Sequence, residues 1–265
     1  MTSYAANELV VTDVVDGLLK VRLNDPDRLN AMSEEMKERF ADVLALARDD
    51  GVRAVVITGT GRAFSAGGDV RTMEHGLRTP LSTRRRMQRA HREMVLALAE
   101  LEKPTIAAVN GVAAGAGLGI ALSCDLRIVS RDVKLVFAFN GLGLVPDFAC
   151  GYFLPRIVGL GRAKELVLVK GRIRADEALS IGLVTEVVDN DACLDRALEI
   201  GGLLASGPTA GLGLGKRLLD LSYDNSLANF LDLESAYQSV AASTDDHKNA
   251  RRAFLAKQVA TFTGE

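Results

Sequence analysis

Apolar residues fall along this chain in two rhythms: short β-branched runs, and longer stretches at helical spacing. Leu9-Val10-Val11 and Leu18-Leu19-Lys20-Val21 predict two strands, and Asp16-Gly17 between them is a hairpin signal. Asp25-Pro26-Asp27 predicts a turn. Ser33 stands as an N-cap before Glu34 and Glu35, and Met36, Phe40, Val43, Leu44 and Ala47 then follow helical spacing up to a stop at Gly51. Ala54-Val55-Val56-Ile57-Thr58, Ile106-Ala107-Ala108-Val109 and Leu126-Arg127-Ile128-Val129 are further strand-like runs, with helical segments between them. That alternation predicts an α/β architecture with parallel pairing. Beyond Ser180 the spacing is mostly helical, with Val184-Thr185-Glu186-Val187-Val188 as one late strand. Residues 226–258 read as amphipathic helices, with Thr244 as a cap.

The 21 residues from Pro104 to Cys124 carry no charge, and Gly111, Gly115 and Gly119 give them the spacing of packed membrane helices. The β-branched opening, the break at Asn110-Gly111 and five Gly or Pro residues favour a buried strand, a turn and a short buried helix instead. A length of 265 residues fits one large domain, or a domain with a small appendage, and holds a substantial core. A net charge of −2 gives no field for nucleic acid. Cys124, Cys150 and Cys193 match no metal-ligand spacing and suggest a reducing compartment, the cytoplasm. The first residues are polar and lack a basic-then-apolar leader. Arg71, Arg78, Arg84, Arg85, Arg86, Arg89 and Arg92 face only Glu74 in their window; they read as a solvated helix face, or as an attraction for polyphosphate or an acidic partner subunit.

The chemistry gathers in two glycine-rich turns and one aspartate. Phe64-Ser65-Ala66-Gly67-Gly68-Asp69 and Asn110-Gly111 through Gly115-Ala116-Gly117 each follow an apolar run, so each could present bare backbone N–H groups at a strand-to-helix junction. Two such groups aimed at one point make an oxyanion hole, and a carboxylate beside it makes an enolising site. Asp147, in Leu144-Val145-Pro146-Asp147, is that candidate; its other reading is a turn residue after proline. The apolar run from Phe139 to Cys150 is expected to raise its pKa. His91 falls on the stripe Met87, His91, Met94, Leu98 and reads as a packed or pocket-lining histidine. A serine hydrolase built on Ser65, Asp147 and His247 lacks the first glycine of the nucleophile elbow. A dinucleotide fold fails because Ile120 stands where its third glycine belongs.

Arg62-Ala63-Phe64-Ser65-Ala66-Gly67-Gly68-Asp69, Asn110-Gly111-Val112-Ala113-Ala114-Gly115-Ala116-Gly117 and Cys124-Asp125 resemble the signature of the crotonase (enoyl-CoA hydratase/isomerase) superfamily. The resemblance runs from Leu23-Asn24-Asp25-Pro26 to Phe262-Thr263-Gly264. It implies an α/β fold of repeated ββα units over residues 1–200 and a helical trimerisation region over 201–265. It implies an acyl-CoA substrate, coenzyme A arriving as part of that substrate, no separate cofactor and no metal, and a homotrimer or dimer of trimers. The oxyanion donors would be Gly68 and Ala116. Arg28, Leu29, Ala66, Gly67 and Asp69 match positions around the CoA moiety, and Phe254 and Lys257 resemble C-terminal residues that reach CoA, often on a neighbouring subunit. The segment 82–101 falls where the family's variable acyl-pocket wall lies.

The departures bear on the reaction. Hydratases of this superfamily carry two glutamates; Gly119 and Phe139 occupy those positions, and neither moves a proton. Asp147 matches an acid/base aspartate of isomerase branches and a nucleophile of a dehalogenase branch, which also carries an aromatic near Phe139 and a histidine near His91. The run Phe137 to Asp147, Arg251-Arg252-Ala253-Phe254-Leu255-Ala256-Lys257 and Phe262-Thr263-Gly264 are most similar to the ring-epoxide isomerases of aerobic phenylacetate breakdown. The expectation is an acyl-CoA isomerase with Asp147 as its one acid/base group. The alternatives are a hydratase with atypical residues, or a non-catalytic acyl-CoA binder.

Overall fold

The computed structural model describes residues 8–69, 71 and 79–265. Strands β1 (Val10–Val15) and β2 (Leu18–Leu23) form the expected antiparallel hairpin. Asp16 and Gly17 both take positive φ, 51° and 78°, as a tight hairpin turn with matching twist requires. Beside β2 lie β3 (Ala54–Gly59), β5 (Thr105–Val109), β7 (Leu126–Ser130) and β10 (Glu186–Val188), all parallel, completing a sheet in the order β1-β2-β3-β5-β7-β10. β3 and β5 are buried along their whole length, which is why both read as unbroken apolar runs.

A second sheet is made of three-residue strands: β4 (Ala63–Ser65), β6 (Val112–Ala114), β8 (Lys134–Val136) and β9 (Arg172–Arg174). Each of β3, β5 and β7 thus continues through a corner into a strand of the other sheet. The first two corners are tight. A Cβ on Gly59 would lie 2.1 Å from the Ala63 carbonyl oxygen, and one on Gly111 would lie 2.2 Å from that of Arg62. The Asn110 amide spans the corners, accepting from Gly59 N–H (3.0 Å) and donating to the Gly61 carbonyl (2.9 Å).

Helix α1 (Glu34–Leu46) is capped by Ser33, whose hydroxyl accepts from Met36 N–H, and buries Met36, Phe40 and Leu44. It ends at Leu46, five residues before Gly51; Gly51 closes the following turn through the Asp49 carboxylate. Helix α2 (Pro80–Ala90) runs into a π-helical segment, His91–Leu96, and a last turn, α3 (Ala97–Ala99). Next come α4 (Ala116–Ser123), α5 (Cys150–Val158), α6 (Leu160–Glu165) and α7 (Ala175–Ser180). α8 (Cys193–Ala205) covers the far face of the first sheet, packing Cys193 and Ala197 on Val56, Ile106, Ala108 and Ile128. The chain ends in α9 (Thr209–Leu221), α10 (Leu227–Ser243) and α11 (Asp245–Ala256). Thr244 caps α11 as expected, its hydroxyl accepting from His247 N–H at 3.1 Å. The uncharged stretch 104–124 folds as β5, β6 and α4, and among the described residues no helix is long and apolar enough to cross a membrane.

Candidate active site

The first glycine-rich turn leaves β4 and is pinned from below. Asn30, fully buried at φ 55°, donates to the Thr60 and Ala63 carbonyls (3.0 and 2.8 Å) and accepts from Asp25 N–H (2.8 Å). Its own carbonyl accepts from the Ser65 hydroxyl at 2.7 Å, and the Leu29 carbonyl accepts from Ala66 N–H at 2.9 Å. Ser65 is thereby locked in the core, which removes it as a nucleophile. Met32 N–H donates to the Gly67 carbonyl (2.7 Å), so the neighbouring Gly68 N–H stays outside that ladder.

The second turn meets the first. Gly115 takes φ 47° and ψ −117°, a conformation open to glycine, and Ala116 is the first residue of α4. A Cβ on Gly67 would lie 2.6 Å from the Ala114 carbonyl oxygen and 3.3 Å from the Ala116 nitrogen; one on Gly117 would lie 2.6 Å from the Ser65 Cβ. The glycines let two backbone turns touch. Among the described residues, neither Gly68 N–H nor Ala116 N–H meets an acceptor. The α4 N-terminus adds its positive dipole end at that place.

Asp147 precedes α5 by one left-handed turn. Phe148 (φ 47°) and Ala149 (φ 56°) are consecutive non-glycine residues in the left-handed region, each costing about 1–2 kcal/mol. Asp147 Oδ1 accepts from Phe148 N–H at 2.7 Å and lies 2.7 Å from His91 Nε2. Among the described residues no donor reaches Oδ2. His91 packs as expected, its ring meeting Phe148 edge-on with centroids 5.3 Å apart, and it also brings Nε2 against the carboxylate. The apolar setting was expected to raise the Asp147 pKa. Burial does push it up, but the His91 contact, the Phe148 N–H and the Lys37 charge together bring it below its ordinary value.

The two hydratase glutamate positions are filled by packing. Phe139 is buried, with its ring edge 3.9 Å from where a Gly115 Cβ would be. A Cβ on Gly119 would lie 2.4 Å from the Phe148 carbonyl oxygen. Cys150, buried at the start of α5, sends its thiol toward the Gly115 carbonyl at 3.7 Å.

The remaining candidates fall in two places. Leu29, Ala66, Gly67 and Asp69 sit in the pinned turn; Asp69 is buried and bonded to the Arg71 guanidinium at 3.1 Å, which holds its carboxyl below the ordinary value with help from Arg28. Phe254 and Lys257, at the end of α11, are exposed. Of the arginine-rich window, Arg78 and Glu74 lie outside the described residues. Arg71 pairs with Asp69, Arg86 with Glu34 and Arg89 with Glu93, while Arg84 and Arg85 are exposed. Sequence reasoning passed over Asn30 and Lys37; the left-handed site that an Asn fills well after Arg28-Leu29 was the available signal for the first.

Residues 13–265 match the family model described as enoyl-CoA hydratase/isomerase. The 1,2-epoxyphenylacetyl-CoA isomerase of Escherichia coli K12 is 39% identical over 97% of this chain and 99% of its own length. A 4-chlorobenzoyl coenzyme A dehalogenase of Arthrobacter is 34% identical over 89% of this chain and 86% of its own length. A crystal structure of a Mycobacterium abscessus protein assigned as enoyl-CoA hydratase/isomerase superposes with a TM-score of 0.91 at 35% identity, covering 97% of this chain and all of that one. From the paired glycine turns to the mixed sheets and the helical C-terminal region, this chain belongs to the enoyl-CoA hydratase/isomerase family and has the crotonase fold.

Proposed function

We propose that this protein isomerises acyl-CoA thioesters with Asp147 as its one acid/base group. The observation that carries the reading is the asymmetry of the Asp147 carboxylate: Oδ1 is held by Phe148 N–H and His91, and Oδ2 is left to react. The thioester carbonyl docks at Gly68 N–H and Ala116 N–H. Oδ2 then takes a proton from a carbon conjugated to the thioester; the electron pair moves into the carbonyl, and the two N–H groups stabilise the enolate oxygen. The same carboxyl returns the proton at another carbon. With a ring epoxide it would assist ring opening instead. Side chains that cannot move protons at 119 and 139 disfavour net water addition. The similarity to the E. coli isomerase supports an aromatic ring-epoxide substrate, and the exposed Leu219, Leu227, Phe254 and Val259 of the C-terminal helices and tail support assembly into a trimer.

The test is a matched assay on a 3-enoyl-CoA, crotonyl-CoA and epoxyphenylacetyl-CoA. Isomerisation of the first or third without hydration of the second is expected; hydration of crotonyl-CoA as the main activity would overturn the reading. Asp147→Asn should lower kcat by at least about 10³-fold, within the range for a lost acid/base group. It should leave binding of a CoA ester within a few-fold of the parent.

The His91–Asp147 pair favours one second reading, in which Oδ2 is a nucleophile. It would attack a halogenated ring carbon, form an ester as halide leaves, and be freed by water. Halide release from a 4-halobenzoyl-CoA, with label from ¹⁸O-water entering Asp147 over repeated turnovers, would support it; no halide release would exclude it.

A further inference from the structure

We infer that Arg156 is a positioning residue for Asp147: by clamping α5 to Asp224, just beyond the end of α9, it sets the direction of the helix that carries the Asp147 turn. The turn and the helix are joined as one piece. Cys150 N–H donates to the Asp147 carbonyl at 3.0 Å, and Tyr152 and Phe153 N–H both donate to the Ala149 carbonyl at 2.9 Å. The Pro146 ring lies 3.6 Å from where a Gly151 Cβ would be. A tilt of α5 therefore carries Asp147 with it, relative to the two glycine turns.

α5 is poorly equipped to set that direction by itself. It has nine residues, starts from Ala149 at φ 56° with no side-chain cap, and holds Pro155 inside it. Short helices are marginal alone, a missing cap leaves N–H groups unanswered, and an internal proline removes one helix hydrogen bond and bends the rod. The direction of α5 is left to what grips it from outside.

The grip is specific. Tyr152 and Arg156, four residues apart, share one face of α5. Arg156 Nη2 donates to Asp224 Oδ1 and the Tyr152 hydroxyl donates to Oδ2, both at 3.1 Å, so each carboxylate oxygen is engaged. Arg156 Nη1 donates to the Tyr152 carbonyl at 3.2 Å, and the guanidinium centre lies 3.5 Å over the Tyr152 ring and 5.7 Å from the Tyr223 ring. An isolated surface ion pair contributes little; here charge, fork geometry and two rings select one arrangement. Asp224 in turn stands on a fixed post. Its N–H donates to the carbonyl of Leu221, the last residue of α9. A Cβ on Gly213 of α9 would lie 2.1 Å from the Glu102 carbonyl oxygen, and Lys216 of α9 reaches Asp125 at 3.1 Å. Through α9 the clamp refers the Asp147 turn to the sheet.

This inference rests on the proposed isomerase reading, and the experiment separates the two. Full-length wild type, Arg156→Met, Arg156→Lys and Asp224→Asn are assayed on the 3-enoyl-CoA and epoxyphenylacetyl-CoA, with CoA-ester affinity measured in parallel. Arg156→Met is expected to lose about 10–100-fold in kcat, up to the scale of a 1 Å misplacement, with affinity within a few-fold. Arg156→Lys, which keeps the cation and loses the fork, should recover part of that loss. Arg156→Met combined with Asp224→Asn should be no slower than the slower single variant, since both break one clamp. Wild type inactive on both substrates would overturn the isomerase reading alone. Active wild type with Arg156→Met within threefold of it, or losses that multiply in the double variant, would overturn the Arg156 assignment.

A measurement that needs no turnover accompanies it. The ¹⁵N resonance of His91 Nε2, one of three histidines and assigned with His91→Gln, reports the Asp147 pair in the free protein. A brace that only stabilises the fold would leave that resonance in place in the folded variant. Arg156→Met should move it in the same direction as Asp147→Asn; an unmoved resonance overturns the inference. Should Arg156→Met fail to fold, Asp224→Asn, at a half-exposed side chain, carries the same two readouts with the same outcomes.

Discussion

Asp147 Oδ1 accepts from Phe148 N–H and lies against His91 Nε2, both at 2.7 Å, and on the proposed reading this sets the pH at which the group works. Burial opposes ionisation of the carboxyl; the His91 contact, the Phe148 N–H and the Lys37 charge outweigh it, and the group titrates below its ordinary value. On the proposed reading the base acts ionised, so kcat/KM should hold from neutral pH downward and fall on an acid limb below the ordinary aspartate range. The stability linkage has the same sign. A depressed folded pKa stabilises above the unfolded pKa, and that contribution is lost as pH falls through the folded pKa. His91→Leu should shift the acid limb upward; His91→Gln, which keeps a donor, should shift it less. A His91→Leu profile that overlays the wild type would show that His91 does not hold the carboxylate. Lys37 from α1 and Cys150 from α5 also face this group, and both are retained in these variants.

At the level of elements, the tail after α11 is tied back by the buried Asp246 and by Arg53, which donates to the Phe262 carbonyl. Asp246, 1% exposed, accepts from Thr263 N–H at 2.7 Å and Gly264 N–H at 2.9 Å, while its own N–H donates to the Glu265 carbonyl. Asp246→Ala leaves those tail N–H groups without their acceptor, so a loss of about 1–3 kcal/mol is expected in urea unfolding, together with faster proteolysis after Ala256. An unchanged midpoint would mean the tail bonds to solvent as well as to Asp246. The strands of the large sheet were legible because β-branched runs such as Ala54–Thr58 are long and bounded by turns. The four strands of the second sheet were not, since three residues are too few to show a period. The π-helical segment at His91–Leu96 escaped for a related reason, as it keeps the apolar stripe of an α-helix while changing the register. The backbone site was legible as two glycine turns. The His91–Asp147 pair was not, because spacing along the chain says nothing about two side chains brought together from a helix and a distant turn.

Across the whole molecule, the C-terminal helices are stitched to the rest of the fold by ion pairs. Lys216 of α9, its side chain 9% exposed, reaches Asp125 at 3.1 Å, and the same Asp125 oxygen accepts from the backbone and hydroxyl of Thr105 on β5. Arg156 of α5 pairs with Asp224 at 3.1 Å, beyond α9, and its guanidinium lies 3.5 Å over the Tyr152 ring. The helix that begins beside Asp147 is thus braced by the end of α9. The Cys150 thiol gives that arrangement a clock. It is fully buried, pushed up to about 12 by desolvation, and it lies between the Asp147 turn and the Gly115 carbonyl. No reagent can meet its thiolate until the two halves of the site part, so alkylation counts openings of the site. Pulsed labelling with mass-spectrometric readout should find Cys150 slow in the free protein and slower with a non-hydrolysable acyl-CoA bound; fast labelling in the free protein would mean that the two halves part often. Backbone amides leave little for a probe to hold, and here a silent thiol marks the seam between the two turns and α5.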